Sequence, residues 1–299
     1  MPTTKEIKNR MKSVQDTKKI TNAMYLIAST KMRKAKSGLD LTRPYFDAVK
    51  GEIKRIFRIN ADIENRYFYP PSGAHDLPGS YGYLVITADK GLAGAYNHNV
   101  IKEAERLMRE HDDPKLFVVG EYGRHYFQAH DIPIEKSFLY TAQNPTIHRA
   151  REISATLLKE FDAGDARNLS KLFIVYTDMK GAAGYNVTTT RLLPFHRGDF
   201  IVPKLTEEPI KRQFEFFPSI EGVLDNIVPS YVTGFIYSAL VDSFCSEQNA
   251  RMNAMDAANR NAEKLLDELK IKYNHVRQSA ITQEITEISS GAKSMKRKS

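Results

Sequence analysis

Eleven of the thirteen prolines in this chain of 299 residues lie between residues 70 and 229, and both ends are almost free of breakers. Between Pro2 and Pro44 there is no proline, and Gly38 is the one glycine. Beyond Pro229 there is again no proline, and Gly234 and Gly291 are the only glycines. Proline and glycine punctuate a chain into short elements, so their distribution implies two long helices flanking a turn-rich middle. The C-terminal end adds a period: Met255, Ala258, Ala262, Leu266, Leu269, Tyr273, Val276 and Ala280 step by 3, 4, 4, 3, 4, 3 and 4. That is close to the 3.5-residue repeat of a coiled coil. Pro229-Ser230 suits a helix start, and a helix over 230–290 would be about 90 Å long at 1.5 Å per residue. No core of a chain this size is that long, so the helix needs a partner.

The other breaker-free end supplies one. Ile7, Met11, Val14, Thr17, Ile20 or Thr21, Met24 and Ile27 or Ala28 recur at three- and four-residue steps, with Lys8, Lys12, Lys18, Lys19, Lys31 and Arg33 mostly off that stripe. Tyr45, Val49, Ile53 and Ile56 resume the pattern after Pro44. The stripe is thin, as a coiled-coil seam is. In the middle, Tyr83–Thr87, Lys115–Val119 and Lys171–Thr177 are short apolar runs suited to buried parallel strands. They alternate with helical patterns around Asn99–His111, Tyr122–His130 and Thr146–Phe161, and Tyr185–Leu193 adds an alternating, edge-like strand. The expected fold class is therefore α/β plus a long antiparallel two-helix coiled coil, the small Rossmann-like α/β domain inserted between the two helices. The expected divisions are a helix over 1–58, a linker over 59–79 containing Pro70, Pro71 and Pro78, the α/β domain over 80–205, and the second helix over 206–299.

Charge is distributed as unevenly as proline. Residues 1–58 hold 15 Lys+Arg against 5 Asp+Glu, net +10; residues 59–218 are net −2 and residues 219–299 net 0. The total of +8 thus belongs to one helix, which implies docking on something acidic. No run reaches the roughly 18 apolar residues of a spanning helix; the longest, Val228–Val241, is broken by polar residues, Pro229 and Gly234. The N-terminus lacks the apolar stretch of a secretory signal. The lone Cys245 excludes an internal disulfide and any Cys-based zinc cluster, and a reducing compartment follows.

Catalytic chemistry is hard to assemble. Thr87–Gly94 (TADKGLAG) follows a strand and precedes a helix, where phosphate loops sit, but matches neither G-x-G-x-x-G nor G-x-x-x-x-G-K-[ST]. Glycine at positive φ in a tight βα turn explains it without a ligand. The eight histidines form no H-x-x-x-H, Asp112-Asp113 reads as a solvated turn, and Cys245 lies in an apolar stretch that would raise its pKa. The chain reads as non-catalytic, with no metal or cofactor expected. The basic helix leaves a nucleic-acid-binding coiled coil open, although no aromatics interleave Lys31–Lys36. A nucleotide-binding α/β enzyme is the other reading left open.

Two ordered motifs narrow the choice. Ile281-Thr282-Gln283-Glu284-Ile285-Thr286-Glu287, followed after three residues by Gly291-Ala292, resembles the C-terminal signature of the γ subunit of F-type ATP synthases. Ser13–Met24 (SVQDTKKITNAM), Asp89-Lys90-Gly91-Leu92 and Ala250-Arg251-Met252 with Ala254-Met255 resemble the same family. The resemblance spans the chain. It implies a non-catalytic central rotor shaft, transmitting torque between a membrane c-ring and the catalytic β subunits while protons or sodium ions flow. Implied partners are the α3β3 ring, the ε subunit and the c-ring, with neither nucleic acid nor direct membrane insertion. The implied place is peripheral, at the cytoplasmic face of a bacterial cell membrane. By motif match, Met24, Arg251, Arg277, Gln278, Thr282 and Glu284 would contact α and β loops, and Lys18, Lys19, Lys31 and Arg33 would act as electrostatic bearings. Ala93 stands where the family often has Cys. The two-Cys insert that chloroplast members carry after the Leu192-Leu193-Pro194 position is missing, so no thiol regulation is expected. The Lys293–Ser299 tail runs past the family's usual end.

Overall fold

A computed structural model describes residues 3–60, 62–70, 79–111, 113–161, 168–179, 186–200 and 215–296, with side chains as far as residue 291. The elements are α1 (Thr4–Ile59), β1 (Ser80–Ile86), α2 (Tyr96–Met108), β2 (Pro114–Val119), α3 (Glu121–Ala129), β3 (Lys136–Phe138), α4 (Ile147–Glu160), β4 (Leu169–Asp178), β5 (Asn186–Leu193), a 3-10 turn at Arg197–Asp199, and α5 (Ile220–Lys296). They fall into two compact units, Thr30–Ala250, and Met1–Ser29 with Arg251–Ser299.

The larger unit is built on a five-stranded sheet ordered β3-β2-β1-β4-β5, parallel except for β5. Side chains alternate across a strand, and β1, β2 and β4 each feed two cores. Tyr83 and Val85, Leu116 and Val118, and Val175 pack under α2 and α3 with Val100, Ala104 and Phe127. Leu84 and Ile86, Phe117 and Val119, and Leu172 and Ile174 join the other core, with Ile153 and Leu157 of α4, Ile53 and Phe57 of α1, and Val232 and Ile236 of α5. Burial on both faces explains why these strands read as continuous apolar runs. β3 has three residues and escaped the sequence pattern. Tyr185, at the start of the expected fourth strand, lies outside the described residues.

Three expectations change here. Residues 62–70 are not a slack linker: Ile63, Tyr67, Phe68 and Tyr69 are buried. The Tyr69 N–H donates to Phe195 O at 3.1 Å, and the Phe195 N–H to Tyr67 O at 2.8 Å. Phe68 packs on Phe57, Phe195 and Phe200. Residues 71–78, with Pro71 and Pro78, lie outside the described set. Helix α5 starts ten residues before Ser230, at a Ser219 whose Oγ accepts from Gly222 N at 3.1 Å. Pro229 and Pro44 are both helix-interior. Each forgoes one backbone hydrogen bond, and the buried Val228 and Val232 offset that for Pro229. Finally, an 18-residue window of α5 is apolar enough by composition to cross a membrane, yet most of it is buried inside the protein.

Gly234 explains how closely α1 and α5 pass within this unit. A Cβ there would sit 2.1 Å from the Phe46 ring, so only glycine lets that ring lie on the helix backbone.

The smaller unit is an antiparallel helix pair. Thr3 and Glu6 form a capping box that starts α1: the Thr3 N–H donates to Glu6 Oε2 at 2.9 Å and the Glu6 N–H to Thr3 Oγ1 at 3.3 Å. Along α1, Ile7, Met11, Val14, Lys18, Thr21, Tyr25 and Ala28 are sheltered at alternating steps of four and three, with Thr4, Met24 and Ser29 half-buried beside them. Along α5, Met252, Met255, Asn259, Ala262, Leu266, Leu269, Tyr273 and Val276 are sheltered at the same steps, with Arg251, Ala254, Asp256, Ala258 and Leu265 half-buried beside them, so the expected Ala258 shares its place with Asn259. Thr17, expected on the seam, is off it, and of the paired alternatives Thr21 and Ala28 are sheltered while Ile20 and Ile27 are 61% and 55% exposed. Where a stripe offers adjacent apolar candidates, the facing helix selects one, and here the 3.5-residue beat favours Thr21 and Ala28. Ala280 is exposed for another reason: α1 begins at Thr4, so α5 has run out of partner.

Candidate functional site

Two stretches of the smaller unit carry most of the residues expected to act; Lys31 and Arg33 belong to the larger unit. In the paired stretch, a polar layer interrupts the seam. Lys18 Nζ donates to Glu263 Oε1 at 2.6 Å, and Thr21 Oγ1 bonds Asn259 Oδ1. Lys18 is therefore answered within the chain rather than projecting freely, with 37% of its side chain exposed against 58% for Glu263. Lys19 projects outward and pairs with Asp16 at 3.2 Å, one helical turn away. Lys31 and Arg33 are exposed on α1. Met24 is half-buried beside the seam, and Arg251 is half-buried on α5.

Past Val276 every described side chain of α5 is exposed. The helix runs on to Lys296, about 30 Å at 1.5 Å per residue. Ile281, Ile285 and Ile288 form a strip along it, 44%, 61% and 73% exposed. Residues three and four apart on a helix are neighbours. On that basis Arg277 and Glu284 flank the strip on one side, and Gln278 and Thr282 on the other. The four expected contact residues thus share one half of the helix surface. Gln278 and Thr282 border the strip rather than interrupting it. The isoleucines themselves were missed in the sequence, because their exposure follows only from where α1 begins.

The larger unit was read in the sequence as holding a structural turn rather than a nucleotide site, and the turn proves to be held by the protein's own groups. Asp89 Oδ1 accepts from Glu121 N, the first residue of α3, and Asp89 Oδ2 from Gln143 N, both at 3.0 Å. Asp89 thus caps the N-terminus of α3 with a carboxylate, the kind of charge such a helix end attracts, while the N-terminus of α2, which follows the turn, carries no side-chain cap. The positive φ falls on Gly94 (+56°) and Leu92 (+61°), not on Gly91. In doubly wound sheets the ligand crevice lies where neighbouring strands send their chains opposite ways. Here that point is between β1 and β4, and α5 fills it. The Thr177 N–H donates to Ser243 Oγ and Ser246 Oγ donates to Thr177 O, both at 3.3 Å. Ala250 packs with Ala88, Ala93 and Tyr96 of the turn. Among the described residues, no group of three or more His, Cys, Asp or Glu side chains is placed to hold a metal ion.

A titratable cluster borders a cavity in this unit. Lys36, Asp40 and Arg43 of α1, Met179, and Asp242 and Cys245 of α5 border a cavity of about 490 Å³. Burial first, then the charge of Asp178, pushes the Asp242 carboxyl up to about 6 against the pull of Arg43. Burial and Asp242 together push the Cys245 thiol up to about 11, so it is an inert, protonated thiol.

Comparison with known proteins bears on all of this. A family model described as ATP synthase matches residues 3–295. The ATP synthase gamma chain of Caldanaerobacter subterraneus subsp. tengcongensis is 43% identical over 295 residues, spanning 96% of this chain and 98% of that one. That of Acetivibrio thermocellus is 41% identical over 296 residues, spanning 97% and 98%. Among solved structures, a chain from the central stalk and c-ring of the Tetrahymena thermophila mitochondrial ATP synthase shares the fold. It has a TM-score of 0.59 at 24% identity and covers 80% of this chain and 99% of its own length.

Proposed function

Since this chain belongs to the ATP synthase gamma-chain family and is the non-catalytic rotor subunit of that complex, we propose that its paired helices turn inside a ring of three α and three β subunits. In this reading Met1–Ser29 with Arg251–Ser299 supply the shaft, and Thr30–Ala250 supply a foot that meets the c-ring and an ε subunit. The complex sits at the cytoplasmic face of a bacterial cell membrane. The ring supplies the catalytic residues, and this chain carries torque.

The observation that carries the reading is the unpartnered isoleucine strip, bordered by Arg277, Gln278, Thr282 and Glu284. Such a strip on a free helix end calls for a sleeve with an apolar lining. Arg277 and Glu284 would be met by opposite charge at its rim. Met24 and Arg251 extend the same contact to the paired stretch. Lys19, Lys31 and Arg33 face acidic ring loops across water, an attraction that falls off over roughly 8 Å at physiological salt. Lys18 joins them only through its pair with Glu263.

The test is reconstitution of the hydrolytic core from α and β chains with this chain or its I281S/I285S/I288S variant. Burying each isoleucine only in the complex contributes on the order of 0.5–1 kcal/mol for such half-exposed groups. Assembly should therefore weaken at least tenfold, about 1.4 kcal/mol, while the free chain melts unchanged. Equal assembly by the variant, or a DNA affinity with a steep salt slope and no affinity for α and β, would overturn the reading.

A further inference from the structure

We propose that Ser243 and Ser246 clamp helix α5 onto strand β4 and are positioning residues for torque transmission; this rests on the rotor reading above. The pairing of β1 with β4 ends at Val85 and Val175. Two residues further on, Thr177 no longer has β1 beside it, while its other neighbour is Val187 of β5. Its N–H and C=O are both taken by α5, the first by Ser243 Oγ and the second by Ser246 Oγ. Thr177, Ser243 and Ser246 are all buried. The two serines, three residues apart on one helix face, give β4 what another strand would have given. Ala250, a further turn along the same face, seats in the pocket of Ala88, Ala93 and Tyr96.

The physical distinction is direction. Apolar contact between α5 and the sheet is non-directional and resists sliding weakly. A donor and an acceptor fixed to one strand residue resist displacement of the helix both along its axis and about it. Dry surroundings strengthen both bonds. A rotor foot whose sheet is pushed sideways needs such a fixed point on the helix that leaves it. The crevice that would admit a ligand in a doubly wound enzyme serves here as that anchorage.

The experiment uses the assembled membrane complex in vesicles and compares wild type with S243A/S246A. Two rates are read in the same vesicles, ATP hydrolysis and ATP-driven ion pumping. Hydrolysis should change less than twofold, and ions pumped per ATP should fall at least threefold. Ile153→Val, which trims the α4 side of the core away from the crevice, is the stability control and should leave the ratio unchanged. A ratio in S243A/S246A equal to wild type, or an equal fall in Ile153→Val, overturns the clamp. If wild type itself neither assembles nor pumps, the rotor reading has failed instead. Should the double variant not fold, S243A alone is read by hydrogen exchange in the complex. The Thr177 amide should exchange at least tenfold faster, and unchanged protection overturns the proposal.

Discussion

Replacing Asp242 by asparagine should make the full chain more stable at pH 8 and leave it little changed at pH 4.5. The carboxyl titrates at about 6 in the folded chain, against about 3.9 in an unfolded one. A raised acid pKa means that folding favours the neutral form. The stabilising contribution is fully present below the unfolded value and is lost as pH rises through the folded one. A shift of about two units has a ceiling of roughly 3 kcal/mol, of which roughly 2 is lost between pH 4.5 and 8. Asp242 is only half-buried, and solvent screening brings the usable part to about 1 kcal/mol. The groups facing it are Asp178 from β4, Arg43 from α1 and Cys245 one turn along α5. Asparagine keeps the shape and removes the charge. Urea unfolding of both chains, followed by circular dichroism at the two pH values, reads the effect as a midpoint shift of a few tenths molar at pH 8. A variant that matches wild type at pH 8, or whose advantage shrinks as pH rises, would refute the reasoning.

Two further substitutions probe the packing. Gly234→Ala pushes a methyl group into the Phe46 ring, so it should destabilise by about 1–3 kcal/mol in the same unfolding assay, and Phe46→Leu in combination should recover part of that. The Lys18–Glu263 pair is largely solvated, and a double-mutant cycle with Lys18→Met and Glu263→Gln should give a coupling below about 1 kcal/mol that fades in high salt.

Much of the fold could be read from the sequence because its strongest signals are local. Thr146 and Phe161 were expected to bound a helix, and they are the caps of α4. Most of the α5 seam, Met255, Ala262, Leu266, Leu269, Tyr273 and Val276, followed from spacing for the same reason, since a period is carried by the helix that shows it. What spacing missed depends on a second element. Ile20 and Ile27 are more apolar than Thr21 and Ala28, yet the latter are covered, because the facing helix decides. Tyr67, Phe68 and Tyr69 sit among prolines, which hid an aromatic segment pairing with Phe195. Ser243 and Ser246 were polar residues in an apolar stretch, with nothing local to name Thr177 as their partner. For the candidate site, Arg277, Gln278, Thr282 and Glu284 came from a motif. The isoleucines beside them needed the antiparallel register, a fact of tertiary structure.

The seven-residue beat of the paired stretch has a handedness. An ideal helix turns every 3.6 residues, so two helices that keep contact every 3.5 must wind around each other to the left. A left-wound pair is a chiral spring: twisting in one sense draws its strands together, and twisting in the other eases them apart. The stretch from Met252 to Val276 therefore answers clockwise and anticlockwise twisting differently in kind, tightening under one and loosening under the other.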